Sequence, residues 1–210
     1  MFWRRKYKAF IFDMAGVIMK YTNSHVAEDA QNPESNNLIE YMEALELGYY
    51  SIEELIKLFP SNHPLKIFAS SIIDSNDLES ASLILSKDEH FSRCIRKLRK
   101  KKYKIAMITN NFYIDKERKR TVLIKDISDF NVVVESCKVG MRKPNPEIYK
   151  YTLALLNVKP EETVFVDDLK INCDGANAIG IKTIHVKDGD TKSAVTEIKK
   201  LTKTKCFKFL

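Results

Sequence analysis

Residues 10–18 read FIFDMAGVI, an apolar run that ends in the carboxylate of Asp13. A short run rich in Ile, Val or Phe and followed by polar residues is typical of a strand buried in a parallel sheet. The first predicted strand is therefore Ala9–Phe12. Further strands of the same type are predicted at Ile105–Ile108 and Val164–Val166, with weaker candidates at Val132–Val134 and Thr183–Val186.

Amphipathic segments of helical length separate these runs, as expected where right-handed crossovers connect parallel strands. Asn145 and Pro146 are suited to the N-cap and the first position of one such helix. Gly180 is suited to cap the end of another. The sequence therefore predicts an α/β fold, with a parallel sheet flanked by helices.

Residues 21–87 separate the first two predicted strands and show only helical patterns, including Ser35–Glu46 and a capping box that begins at Ser51. A plain crossover is much shorter. We therefore predict a core domain of residues 1–20 and 88–210, with an inserted all-helical cap subdomain at residues 21–87.

The formal charge of +7 comes partly from a cluster of Lys and Arg between residues 96 and 104. A helix is predicted to end there, and cations at a helix C-terminus complement its dipole. We interpret the cluster as a solvated helix end rather than a nucleic-acid-binding face. Attraction of acidic ligands or of an anionic membrane surface is the alternative.

Apolar runs in the chain are shorter than the roughly 20 residues that a membrane helix needs. The N-terminal residues lack the apolar stretch of a secretory signal. The four cysteines are far apart in sequence and form no C-x-x-C pair, which favours reduced thiols. We expect a cytoplasmic protein without an integral membrane segment, as a monomer or homodimer.

Polar side chains follow the predicted strands, and the carboxyl ends of parallel strands are where such sheets bind ligands. They are Asp13 after the first strand, Thr109-Asn110-Asn111 after the second, and Asp167-Asp168 after Val166. Lys143 precedes a predicted helix and is able to reach the same edge. Each residue alone is ordinary turn chemistry, but their occurrence at successive strand ends predicts one site.

These residue types suit phosphoryl transfer. The carboxylate of Asp13 is a candidate nucleophile that would form an aspartyl-phosphate. Mg²⁺ favours one or two carboxylates with backbone oxygen and water, which Asp13 and Asp168 would supply in part. The Thr109 hydroxyl and the neighbouring amide of Asn110 are candidates to hold phosphate oxygens.

Lys143 would add a fixed positive charge for the transferring phosphoryl group. Asp167 is expected to orient Lys143, and Asn172 to brace the loop. The predicted substrate is a small phosphate ester.

Four motifs in this chain resemble those of the haloacid dehalogenase (HAD) superfamily: Asp13-x-x-Gly16-Val17, Ile108-Thr109-Asn110, Lys143-Pro144 and Val166-Asp167-Asp168. The segments 135–149 and 164–168 are most similar to the N-terminal phosphatase domain of soluble epoxide hydrolases. The resemblance implies Mg²⁺-dependent hydrolysis of phosphate monoesters, with lipid phosphates among the substrates of the related domain. It also implies that the insertion is a cap that selects substrates.

Ala15 departs from that family pattern. Phosphatases of the family carry a second Asp there, which protonates the leaving oxygen and then activates water. The Ala15 carbonyl remains able to bind Mg²⁺, but its side chain transfers no proton. General acid–base catalysis contributes about 10²–10⁴-fold, so we expect impaired turnover.

Two alternatives follow from the same residue. In one, the chain is an inactive pseudo-phosphatase that binds a phosphate or phospholipid. In the other, it resembles phosphonoacetaldehyde hydrolases, which also have Ala at this position and use a cap lysine as a Schiff base. The cap offers Lys57 and Lys66 for that role, although a lysine on the solvent-exposed face is the more common arrangement.

Overall fold

The computed structural model describes residues 6–21, 36–60, 66 and 85–202, with the backbone alone described for residues 36–40. The strands in these ranges are β1 (Ala9–Phe12), β2 (Met19–Tyr21), β3 (Leu85–Lys87), β4 (Lys104–Thr109), β5 (Val132–Glu135), β6 (Thr163–Asp167) and β7 (Lys182–His185). Five of them form a parallel sheet in the order β5-β4-β1-β6-β7. The predicted parallel sheet and all five of its predicted strands are confirmed.

Helices cover both faces of this sheet. The α-helices in the described ranges are α1 (Asn36–Glu46), α2 (Ile52–Leu55), α3 (Glu89–Lys100), α4 (Ser136–Val139), α5 (Pro146–Leu156), α6 (Lys170–Ala178) and α7 (Thr191–Thr202). Of these, α3 and α7 pack on one face of the sheet, and α5 and α6 pack on the other. Asn145 is the N-cap residue of α5, although its side chain makes no capping hydrogen bond. Ser51 forms the predicted capping box with Glu54. Gly180 follows the end of α6 with a φ of 89°, which favours glycine.

Side chains of β1 alternate between two hydrophobic clusters. Phe10 and Phe12 pack with residues of α3 and α7, including Phe91 and Ile198. Ile11 lies in the second cluster, which includes residues of α5 and α6. Burial on both faces explains why the strands read as continuous apolar runs rather than as alternating patterns.

The insertion is entered and left through a two-stranded antiparallel ribbon, in which Met19 pairs with Lys87 and Tyr21 pairs with Leu85. The prediction that residues 21–87 contain only helices was therefore wrong at both ends. Each ribbon strand has three residues and is partly exposed, so it carries no apolar run, and its partner lies on the far side of the insertion. The division into core and cap at these boundaries stays a prediction.

The described part of the insertion packs against the core segment that follows β4. Leu45, Ile52 and Leu55 form a small cluster with Ile114, and the amide of Ile52 donates to the carbonyl of Tyr113 at 2.8 Å. Helices α1 and α2 are therefore attached to the core beside the carboxyl end of the sheet.

The basic cluster is found where the sequence predicted it, at and beyond the last turn of α3. Its charged side chains are exposed. Cys94, Cys137 and Cys173 are buried free thiols, and Cys206 lies outside the described residues. Among the helices described, none combines the length and apolar character needed to cross a membrane.

Candidate active site

Three neighbouring strands bring the predicted residues to one edge of the sheet. β1 lies between β4 and β6. Thr109 ends β4, Asp167 ends β6, and Asp13 directly follows β1, where its amide donates to the carbonyl of Val166 at 2.9 Å. Residues that are distant in the chain are thus gathered by strand pairing alone.

Lys143 links two of these carboxylates from a buried position, with 1% of its side chain exposed. Its Nζ lies 2.7 Å from Oδ2 of Asp13 and 2.7 Å from Oδ2 of Asp167. Burial would lower the pKa of Lys143, but the two carboxylates outweigh that effect and raise the pKa above its usual value. The ammonium therefore stays charged.

Asp167 is held by further hydrogen bonds. Nδ2 of Asn172 donates to both carboxylate oxygens, at 3.1 and 3.2 Å, and the amide of Leu169 donates to Oδ1 at 2.8 Å. The hydroxyl of Tyr149 in turn donates to the carbonyl of Asn172 at 2.8 Å. Asp167 is therefore fully occupied by its neighbours and is suited to orient Lys143 rather than to react.

Asp13, Asp167 and Asp168 form a carboxylate cluster with ligand oxygens within 4.8 Å of one another. The pKa of Asp168 is raised to about 6, mainly by burial and secondly by the negative charge of Asp167. Burial also raises the pKa of Asp13, although Lys143 opposes the shift. Three carboxylates around one ammonium leave excess negative charge, which a divalent cation with oxygen preference would neutralise.

Gly16 lets the chain pass close to this cluster. A Cβ placed there would lie 2.1 Å from Oδ2 of Asp168, and the φ of Gly16 is 75°. Both the space and the backbone conformation therefore require glycine. Ala15, directly before it, is half-buried and forms an isolated β-bridge with Met19.

Asn110 uses its side chain to hold the main chain of Lys143. Its Oδ1 accepts from the amide of Lys143 at 2.9 Å, and its Nδ2 donates to the carbonyl of Lys143 at 3.0 Å. Thr109 is buried at the end of β4. The backbone amide of Asn110, rather than its side chain, is thus the group left to fill the predicted phosphate-binding role.

Sequence reasoning missed Glu46 and Arg142, which join the insertion to this site. Nε of Arg142 donates to Oε2 of Glu46 at 2.6 Å, and Nδ2 of Asn110 donates to the same oxygen at 3.0 Å. The sequence shows that Glu46 and Arg142 carry opposite charges, but they are too far apart in the chain for their spacing to predict a contact. Sequence reasoning also did not place Tyr21 near the site. Its pKa is raised mainly by burial, and further by the nearby carboxylates of Asp168 and Asp13.

Neither of the two cap lysines is a free, buried amine of the kind that forms a Schiff base. Lys57 is exposed, and its Nζ lies 3.7 Å from Oε1 of Glu53. Nζ of Lys66 donates to the carbonyl of Phe59 at 3.2 Å.

His185, for which no role was predicted, has its Nε2 2.8 Å from the carbonyl of Asp168, so that this nitrogen donates.

Known proteins with similar sequences include hydrolases and phosphatases. Over 111 residues the chain is 41% identical to bifunctional epoxide hydrolase 2 of Rattus norvegicus, a match that covers 51% of this chain and 20% of that protein. The match thus spans about a fifth of the length of that relative. Glyceraldehyde 3-phosphate phosphatase of Methanopyrus kandleri is 28% identical over 202 residues, with 87% of this chain and 84% of that protein covered.

The fold also has solved counterparts. One is a HAD family enzyme of Bacteroides thetaiotaomicron in complex with magnesium and inorganic phosphate, with a TM-score of 0.59 and 21% identity over 85% of this chain and 93% of that one. The family model of haloacid dehalogenase-like hydrolases matches residues 7–180. Because that match covers most of the chain and ends beyond the last of the four motifs, this protein belongs to the haloacid dehalogenase-like hydrolases.

Proposed function

We propose that this protein is a phosphatase-type hydrolase in which Asp13 accepts the phosphoryl group of a small phosphate monoester and releases it slowly. The main support is the buried ammonium of Lys143, which lies 2.7 Å from both Asp13 and Asp167. An ammonium held there, at the carboxyl ends of the strands, is placed to stabilise charge on a phosphoryl group beside Asp13.

Mg²⁺ is the proposed cofactor. Asp13 and Asp168, with the carbonyl of Ala15, would hold it, and when bound it would neutralise charge between the carboxylates and the phosphate. The excess of carboxylates over ammonium in the cluster supports this choice. The magnesium and phosphate bound by the Bacteroides enzyme agree with it.

The first chemical step uses residues that are all present. A carboxylate oxygen of Asp13 attacks phosphorus, the ester P–O bond breaks, and the leaving oxygen departs with the bonding electron pair. The ammonium of Lys143 stays charged throughout and stabilises the phosphoryl oxygens. An aryl oxygen leaves without protonation, whereas an alkyl oxygen needs a proton that Ala15 does not provide.

The second step lacks a general base at position 15. Water has to attack the aspartyl-phosphate to release inorganic phosphate and regenerate the Asp13 carboxylate, and Ala15 cannot remove its proton. The loss of such a base costs about 10²–10⁴-fold. The phosphorylated protein should therefore accumulate during turnover.

With p-nitrophenyl phosphate and Mg²⁺, we expect a rapid burst of nitrophenolate, close to stoichiometric with protein, followed by a slow steady phase. The burst reports phosphorylation of Asp13, and the slow phase reports its hydrolysis. Stopped-flow absorbance and intact-protein mass spectrometry measure the two. Asp13→Asn should abolish both signals. A linear time course without phosphoprotein would contradict a covalent intermediate.

Magnesium binding is tested separately by thermal unfolding. Saturating Mg²⁺ should raise the melting temperature, because a ligand at a hundred times its Kd stabilises the native state by about 2.7 kcal/mol. Asp168→Asn should remove most of that increase. Asp174→Asn alters an exposed carboxylate of α6 that pairs with Lys170 and should preserve it. Equal Mg²⁺ responses in both variants would exclude Asp168 as a ligand.

The second candidate function is binding without turnover, and Ala15 favours it because that residue alone departs from the catalytic set. A pseudo-phosphatase would bind Mg²⁺ together with a phosphate ester or a phosphorylated lipid. Calorimetric titration with Mg²⁺ and a short-chain lysophosphatidic acid distinguishes the two functions. Binding of that lipid without release of phosphate, together with no burst from the aryl ester, would favour the binding protein.

A further inference from the structure

We infer that Glu46, on the last turn of α1, is a positioning residue for Lys143 and that it makes the geometry of the reacting groups depend on attachment of the insertion. This inference rests on the proposed function. The carboxylate of Glu46 accepts hydrogen bonds from Asn110 and Arg142, and it acts on Lys143 through Asn110.

The contacts form a continuous path from the insertion to the nucleophile. Oε2 of Glu46 accepts from Nδ2 of Asn110 at 3.0 Å. The amide of Asn110 then brackets the main chain of Lys143, donating to its carbonyl at 3.0 Å and accepting from its N–H at 2.9 Å. Nζ of Lys143 reaches Asp13 at 2.7 Å. A shift of Glu46 therefore reaches Asp13 through the side chain of Asn110 and then through the main chain and side chain of Lys143.

Glu46 also stabilises the direction in which the side-chain amide of Asn110 points. The carboxylate is only an acceptor, so it binds Nδ2 and leaves Oδ1 facing the N–H of Lys143. With the amide reversed, Oδ1 would face a carboxylate and a carbonyl, and Nδ2 would face an N–H donor. Glu46 thus reinforces the orientation of Asn110 that the main chain of Lys143 requires.

Arg142, which directly precedes Lys143 in the chain, binds the same Glu46 carboxylate. Its Nε donates to Glu46 at 2.6 Å, and its Nη1 donates to Oε1 of Glu43 at 2.6 Å. The side chain of Glu46 is 14% exposed and that of Glu43 is 50% exposed. Because the two acids share one arginine and only Glu46 contacts Asn110, Glu43 is a matched control.

The experiment compares Glu46→Ala, Glu46→Gln and Glu43→Ala by two readouts. The first is the burst rate constant with p-nitrophenyl phosphate and Mg²⁺, resolved into its maximal value and the substrate concentration at half-maximum. The second is hydrogen exchange of the Lys143 amide, followed by mass spectrometry or NMR on the full chain, which needs no turnover.

In Glu46→Ala, the maximal burst rate should fall by roughly ten- to a hundredfold, because small misplacements of reacting groups have effects of this size. The half-saturating concentration should change far less, and exchange at Lys143 should accelerate. Glu46→Gln keeps an acceptor oxygen for Asn110 and should recover much of the rate. Glu43→Ala should stay within about twofold of the unchanged protein, as expected for an exposed ion pair.

An unchanged burst and unchanged exchange in Glu46→Ala would overturn the inference. So would equal losses in Glu43→Ala and Glu46→Ala, because Arg142 pairing alone would then explain the effect. If the unchanged protein shows no burst but exchange at Lys143 still responds to Glu46 alone, the proposed function fails while the positioning path stands.

Discussion

Ala15→Asp should raise the steady-state rate of phosphate ester hydrolysis by about 10²- to 10⁴-fold, the range that general acid–base catalysis provides. This gain corresponds to roughly 3–5 kcal/mol of activation free energy at about 1.36 kcal/mol per decade. The new carboxyl would protonate the leaving oxygen and then remove a proton from water. Asp13 as the proposed nucleophile, Lys143 and the carboxylate cluster are already in place.

The gain should depend on the leaving group. An alkyl phosphate needs proton donation in the first step, whereas p-nitrophenolate leaves unaided. We therefore expect a larger increase of kcat/KM for an alkyl phosphate, and for the aryl ester an increase mainly in the steady phase after the burst. Phosphate release assays with both esters measure this difference.

Ala15→Asn is the matched control, because the amide has nearly the shape of the carboxyl but does not exchange a proton in this way. It should remain as slow as the unchanged protein. An equal gain in both variants would point to an effect of side-chain size, and no gain in Ala15→Asp would contradict the proposed role of position 15.

Lys143→Met should destabilise the protein by about 3–5 kcal/mol, because removal of one partner of a buried ion pair leaves charge without compensation. Here the ammonium is shared by Asp13 and Asp167, and both are buried. The variant should also lose phosphorylation of Asp13. Urea unfolding, followed by circular dichroism, measures the free energy of unfolding.

Two further variants make this prediction specific. Asp13→Asn in the Lys143→Met background removes one uncompensated carboxylate and should recover part of the lost stability. Lys182→Met removes an ammonium that lies 3.5 Å from Oε1 of Glu197, in a pair whose side chains are 46% and 44% exposed. It should cost less than about 1 kcal/mol. Equal costs for the two lysine variants would show that burial of Lys143 carries no special weight.

Most of the sheet was predictable because its strands are buried on both faces and therefore read as apolar runs. The candidate site was predictable for a related reason: parallel strands align their carboxyl ends, so a polar residue after each run has to approach its neighbours. Asp13, Thr109 and Asp167 follow from this rule. Lys143 follows no strand, and it was placed at the same edge because it directly precedes a predicted helix.

The ribbon of β2 and β3 was not predictable in the same way. Its strands are short and partly exposed, and their pairing joins Met19 to Lys87 across the whole insertion. Local sequence preferences carry no information about such a partner. The interpretation of Lys57 also needed coordinates, because an apolar neighbourhood in sequence does not show which way a helix turns its lysine.

The amino-acid sequence by itself determined the α/β architecture, the position of the Asp13 carboxylate at a strand end, and the absence of a proton-transferring side chain at Ala15. Those features depend on residue type and local order. Only the tertiary structure decided that Asn110 forms hydrogen bonds with the main chain of Lys143 and that Glu46 accepts hydrogen bonds from both Asn110 and Arg142. These contacts join segments far apart in the chain, and their geometry arises only when the insertion packs against the sheet.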